Sequence, residues 1–192
     1  MRVHSSLTVF ILLAGLIGSA EAGKLAGVSM ADTVEVDGHQ LRLNGMGLRE
    51  ATMFNVNVYV AGLYLENVSS DPSAIVRSNE PKVLVLQFVR DVDRGDIVKA
   101  WRSGFKNNAT VSLAAIQQNI DQLNRWMPAF SKGDTLVFKF DGEGVEVAIN
   151  GKVQGTLAGQ DFARSLFSIW LGQKPPNKGL KTGLLGNHRP SS

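Results

Sequence analysis

The apolar spacing along this chain changes period in an order that leaves few folds open. Strand-like alternation comes first, helical stripes next, then alternation again and one last stripe. Such segregation favours an α+β fold, in which helices layer on one face of a large, mostly antiparallel sheet. Thr33-Val34-Glu35-Val36 and Gln40-Leu41-Arg42-Leu43 flank Asp37-Gly38, a strong hairpin signal. Gly45 and Gly47 are read as loosening the chain before Leu48-Arg49. The clearest strand runs from Phe54 to Glu66. Asn55, Asn57, Tyr59, Ala61 and Leu63 fall on one side, and Val56, Val58, Val60, Gly62 and Tyr64 on the other. The second side is apolar up to its glycine. The first carries polar groups yet ends apolar, so it is expected to line something other than bulk water.

Ser70-Asp71-Pro72 predicts a short helix, opened by a cap and an early proline. Lys82 to Val89 reads as a buried strand. From Arg94 the period becomes helical, with Ile97, Trp101 and Phe105 four apart. A second helix follows from Ser112 to Trp126, with Leu113, Ile116, Ile120 and Leu123 on one face, and Pro128 stops it. Three strands come next: Asp134 to Phe140, Gly144 to Ile149 and Lys152 to Thr156. They are joined by the turns Asp141-Gly142-Glu143-Gly144 and Asn150-Gly151. The last helix, Asp161 to Leu171, presents Phe162, Leu166, Ile169 and Trp170. Pro175-Pro176 ends it, and residues 176–192 read as a polar, mobile tail. Trp101, Trp126 and Trp170 lie on apolar stripes and are expected in the core.

The first residues have the three parts of a secretion signal: basic Arg2 and His4, the apolar run Leu7 to Ile17, and the small-x-small Ala20-Glu21-Ala22. That run is too short for a membrane helix, which needs about 20 residues. Residues 1–22 are therefore expected to be cleaved after Ala22, giving a periplasmic or secreted protein with no stable membrane span. Residues 23–175 then form one domain, long enough for a sizeable core, and the 44% hydrophobic content fits a globular chain. The net charge of +3 is spread thinly, which argues against a nucleic-acid partner. With no cysteine, disulfides, thiolate catalysis and cysteine-type zinc sites are excluded.

Most catalytic signatures are missing. There is no phosphate loop, nucleophile elbow or metal-binding histidine pair, and no metal or cofactor is expected. His4 falls in the signal, His39 in a turn and His188 in the tail, which leaves little for histidine acid–base chemistry. The carboxylates sit mostly at turns and helix starts, where capping accounts for them.

Several runs together resemble the chalcone isomerase superfamily, in particular its bacterial exported, chalcone isomerase-like branch. They are Gly45-Met46-Gly47-Leu48-Arg49, then Val58-Tyr59-Val60-Ala61-Gly62-Leu63-Tyr64-Leu65-Glu66, and Phe88-Val89-Arg90-Asp91-Val92. Further along come Ala100-Trp101-Arg102-Ser103-Gly104-Phe105, Asp161-Phe162-Ala163-Arg164, Ile169-Trp170-Leu171-Gly172 and Gly183-Leu184-Leu185-Gly186. The resemblance implies an antiparallel sheet covered by helices, with a cleft between them. Plant members close a ring in chalcones by adding a phenolate to an enone, using an arginine that Arg49 matches. A fixed guanidinium there favours the phenolate and stabilises the developing enolate.

The partner positions depart from the plant pattern. Tyr59 stands where plant enzymes carry threonine, and Asp93 and Ala100 fall where they carry tyrosine and asparagine. Other members of the superfamily bind fatty acids through an arginine and a tyrosine, and Arg49 with Tyr59 could hold a carboxylate in the same way. The expected site is therefore Arg49 and Tyr59 around a small apolar ligand with an acidic end, with Asn57 and Arg90 as further candidates. Two alternatives stay open: an isomerase with Arg49 as its catalytic cation, and an interaction module of the cell envelope.

Overall fold

The computed structural model describes residues 21–51 and 56–187. A hairpin of β1 (Glu21–Leu25) and β2 (Val28–Ala31) comes first, followed by β3 (Thr33–Val36), β4 (His39–Ala51) and β5 (Val56–Leu65). Then come α1 (Pro72–Arg77), β6 (Lys82–Phe88), α2 (Arg94–Asn108) and α3 (Leu113–Trp126). The chain continues through β7 (Thr135–Phe140), β8 (Gly144–Ile149) and β9 (Lys152–Ala158) to α4 (Gln160–Leu171) and α5 (Lys178–Leu184). β3 to β9 form one seven-stranded antiparallel sheet in sequence order, while β1 and β2 pair only with each other. The α+β architecture is the one the changing period predicts. The expected signal segment lies outside the described residues, except that Glu21 and Ala22 open β1.

The turn between β3 and β4 forms because Asp37 and Gly38 both take positive φ, 51° and 83°, which suits the twist of a two-residue hairpin. α1 starts where Asp71 Oδ1 accepts from the main-chain N–H groups of Ser73 and Ala74, with Pro72 in the first turn. The α2 stripe of Ile97, Trp101 and Phe105 is buried as its spacing requires. In α3 the stripe holds except at Leu113, which is exposed at the first turn.

The two faces of the sheet carry different cores. On one face Tyr59, Ala61, Leu63, Leu86, Phe88 and Phe138 pack against the helices in the main cluster. α4 lies deepest, with nine of its twelve residues buried. Each fully enclosed Leu, Phe or Trp there contributes roughly 1.5–3 kcal/mol of hydrophobic stabilisation. On the other face Val60, Tyr64 and Val83 meet Val28 and Met30 of the β1–β2 hairpin. A Cβ on Gly62 would overlap the Met30 sulfur, so the glycine in an otherwise apolar row makes room for that thioether. The Tyr64 hydroxyl donates to the Ala31 carbonyl at 3.1 Å and fixes the hairpin from below.

Three local expectations are corrected. Gly45 and Gly47 do not loosen the chain, because β4 runs through both to Ala51. Their missing side chains let α5 lie against the strand backbone. A Cβ on Gly47 would stand 2.9 Å from Leu180 Cα, and one on Gly45 would stand 2.7 Å from Gly186 N. Secondly, residues 178–184 are not a mobile tail but this helix, with Leu180 and Leu184 fully enclosed in the main core. The preceding helix ends at Leu171, capped by Gly172, and Pro175-Pro176 lie in the link to α5. Thirdly, β9 extends to Ala158 and α4 begins at Gln160.

Candidate functional site

Arg49 and Tyr59 stand directly opposite each other where β4 pairs with β5. Cross-strand partners share a face, and Tyr59 belongs to the main core beneath the helices. Arg49 therefore projects toward the helical side, near the end of β4, and is half-buried. Its Nη1 donates to the Glu50 carbonyl, and among the described residues its other guanidinium donors have no partner.

Tyr59 is only 5% exposed. Its hydroxyl oxygen accepts from Trp170 Nε1 at 3.0 Å, a buried bond from α4 to β5 across 111 positions of sequence. Phe88 meets the Tyr59 ring edge-on at 5.8 Å, and Trp101 meets Trp170 edge-on at 5.5 Å. Burial pushes the phenol up to about 12, with the Trp170 bond and the Arg49 charge pulling the other way. Tyr59 is thus a neutral donor at physiological pH. With its oxygen already accepting from Trp170, its own proton can be given to a third group.

The other expected residues are not brought to this pair. A β-bulge falls between Arg49/Glu50 on β4 and Tyr59/Asn57 on β5, with Val58 as the extra residue. Val58 takes the helical side with Tyr59, and Asn57, opposite Glu50, is exposed. The period-two reading of Asn57 fails at that inserted residue. Arg90 lies beyond the end of β6, exposed, with Nε donating to the Asp91 carbonyl at 3.3 Å. Among the described residues neither hydrogen-bonds to Tyr59.

Two residues of the site carried no sequence signal. Trp170 read only as core. Asn177 precedes α5, and its side-chain amide donates to the Leu48 carbonyl at 3.0 Å and accepts from Glu50 N–H at 3.4 Å. It clips α5 to β4 on either side of Arg49. Asn44 does the same at the far end of α5. Its Nδ2 reaches the Leu184 and Ser69 carbonyls at 2.8 and 2.9 Å, and its Oδ1 accepts from Ser69 N–H at 2.8 Å.

A hollow of about 780 Å³ opens along β4 between the β1–β2 hairpin and α5, floored by Leu25, Leu43, Met46 and Leu48. A second, of about 390 Å³, lies between α1 and α4. Neither is lined by Arg49 or Tyr59. Among the described residues no group of three His, Cys, Asp or Glu could hold a metal ion, and no helix is long and apolar enough to cross a membrane.

A seven-stranded antiparallel meander with helices packed on one face makes this an α+β protein of the chalcone isomerase-like fold. The chain matches the family model described as chalcone isomerase-like over residues 22–186, and it belongs to that family. The matched span takes in α5. Among solved structures it is similar to a fatty-acid binding protein of Arabidopsis thaliana, with a TM-score of 0.67 and 18% identity over 84% of this chain and 93% of that one. At that identity the likeness is one of fold. No curated protein matches the chain in sequence.

Proposed function

We propose that this protein binds a small, largely apolar molecule with an acidic end, such as a fatty acid, at the Arg49–Tyr59 pair. The observation that carries the reading is the pairing itself: a half-buried guanidinium beside a buried phenol whose oxygen is already occupied by Trp170. Arg49 would pair with the carboxylate through its free donors, and Tyr59 would give its proton to the same group. The fatty-acid binding named for the Arabidopsis relative is in line with this chemistry.

The same reading includes export. The charged start, short apolar run and Ala20-Glu21-Ala22 support cleavage after Ala22 and a periplasmic or secreted mature protein. N-terminal sequencing of protein from the producing cell should begin at Gly23.

The binding test is titration of a fluorescent fatty-acid probe into the purified protein and its Arg49→Ala variant. Loss of an ion-assisted bidentate contact of roughly 1.5–3 kcal/mol weakens binding by about 10- to 100-fold. Equal affinity in the two proteins would remove Arg49 from the site.

A further inference from the structure

The hollow between α1 and α4 lies far from Arg49. Its lining shares no residue with the Arg49–Tyr59 pair. Two arginines, Arg77 of α1 and Arg164 of α4, line this hollow together with the hydroxyl-bearing Ser73, Thr110 and Ser168. Asp161 is the one acidic residue in its lining.

Neither arginine makes an ion pair among the described residues. Arg164 is nevertheless held in place. Its Nη2 donates to Asn79 Oδ1 and to Gln160 Oε1, both at 3.2 Å. Those acceptors are neutral amides, so they orient the guanidinium without cancelling its charge. Nε is enclosed and finds no acceptor, and Nη1 has no protein acceptor among the described residues. Behind it lies a third cation, Lys82, only 2% exposed. Burial lowers the Lys82 amine to about 8, Glu80 opposes the shift and the Arg164 charge adds to it. Asp161 is exposed in the first turn of α4, where its charge also answers the helix dipole.

We propose that this hollow is a second binding site, for an oxyanion: a phosphate, free or on a lipid headgroup, held between Arg164 and Arg77 with the neighbouring hydroxyls. A guanidinium fixed by neutral amides at the wall of a hollow presents its remaining donors in a rigid fork, which is the geometry phosphate oxygens accept. The bound anion supplies the counter-charge that neither arginine finds in an ion pair among the described residues. The site is independent of the Arg49–Tyr59 reading.

The test titrates inorganic phosphate, in chloride buffer, into the purified protein and into Arg164→Gln, Arg77→Gln and Asp161→Asn, read by calorimetry. One phosphate per chain is expected. Affinity should fall about tenfold in either arginine variant, as for the loss of one charged hydrogen bond, and rise in Asp161→Asn. Vesicles of phosphatidylglycerol in phosphatidylcholine separate the two sources. Co-sedimentation that Arg164→Gln abolishes points to the headgroup, and phosphate binding without co-sedimentation points to the free anion. The proposal is overturned if the wild type shows neither saturable phosphate binding nor Arg164-dependent vesicle binding. Equal phosphate affinity in the wild type and in Arg77→Gln, a surface change that leaves the fold alone, overturns it as well.

Discussion

Replacing Lys82 by methionine should stabilise the protein at neutral pH and remove a pH dependence that the wild type carries. The Lys82 amine sits 4.6 Å from the centre of the Phe140 ring, donates to the Ser78 carbonyl at 2.5 Å, and is lowered from 10.5 to about 8 by burial. Its folded pKa lies below the unfolded one, so between pH 8 and 10.5 the unfolded chain holds more protons and stability rises with pH. At pH 7 the buried charge costs about 3 kcal/mol, and at pH 9.5 about 1.4 kcal/mol, so the wild type should gain about 2 kcal/mol over that interval. Methionine fills a similar volume without the charge. It forfeits the bond to Ser78 and the cation–π contact, about 1 kcal/mol each, for a net gain of about 1 kcal/mol at pH 7. The upper limit of the window is set by Tyr59 and Tyr64, both raised to about 12 chiefly by burial. Their contribution is complete below pH 10 and is lost toward pH 12. Urea unfolding of both proteins at pH 7, 8.5 and 9.5, in phosphate-free buffer, measures the difference. A gap between them that stays constant across these pH values would refute the reasoning.

The Tyr59–Trp170 bond should behave as a coupled pair. Tyr59→Phe leaves a buried indole N–H without an acceptor, at about 1–3 kcal/mol, and a thermodynamic cycle with Trp170→Phe should return a coupling energy near 1 kcal/mol rather than additivity. Gly47 of β4 and Gly95 of α2 should respond in opposite directions. Gly47→Ala drives a Cβ into the Leu180 main chain and should destabilise by more than 2 kcal/mol by denaturant midpoint. Gly95→Ala meets nothing within 4 Å and, at a helical position, should stabilise by about 0.5–1 kcal/mol.

Sequence period recovered the elements whose partners lie on one face at regular spacing. The α2 stripe, the β7–β9 meander and the Asp37-Gly38 turn all follow from side-chain direction and local dihedral preference, which need no knowledge of the rest of the chain. The β1–β2 hairpin and α5 had no such signature, being short and rich in glycine and small residues. α5 in particular owes its position to side chains that are absent. Gly45, Gly47 and Gly183 let two backbones meet, and a gap in the apolar pattern reads as flexibility until the element that fills it is seen.

The site divides along the same line. Arg49 and Tyr59 were picked out by resemblance to the family, position by position, whereas Asn57 rested on strand alternation and was misplaced because one inserted residue, Val58, resets that alternation. Trp170 could not be assigned a role, since its helical stripe places it in the core whether its N–H is paired or not. What turns it from filler into part of the site is a 3.0 Å contact spanning 111 residues. By occupying the lone pair of Tyr59 it decides where the phenol proton can go. The Arg49–Tyr59 pair is therefore a three-residue arrangement, and its donor direction is set from the helix layer rather than from the strands that carry it.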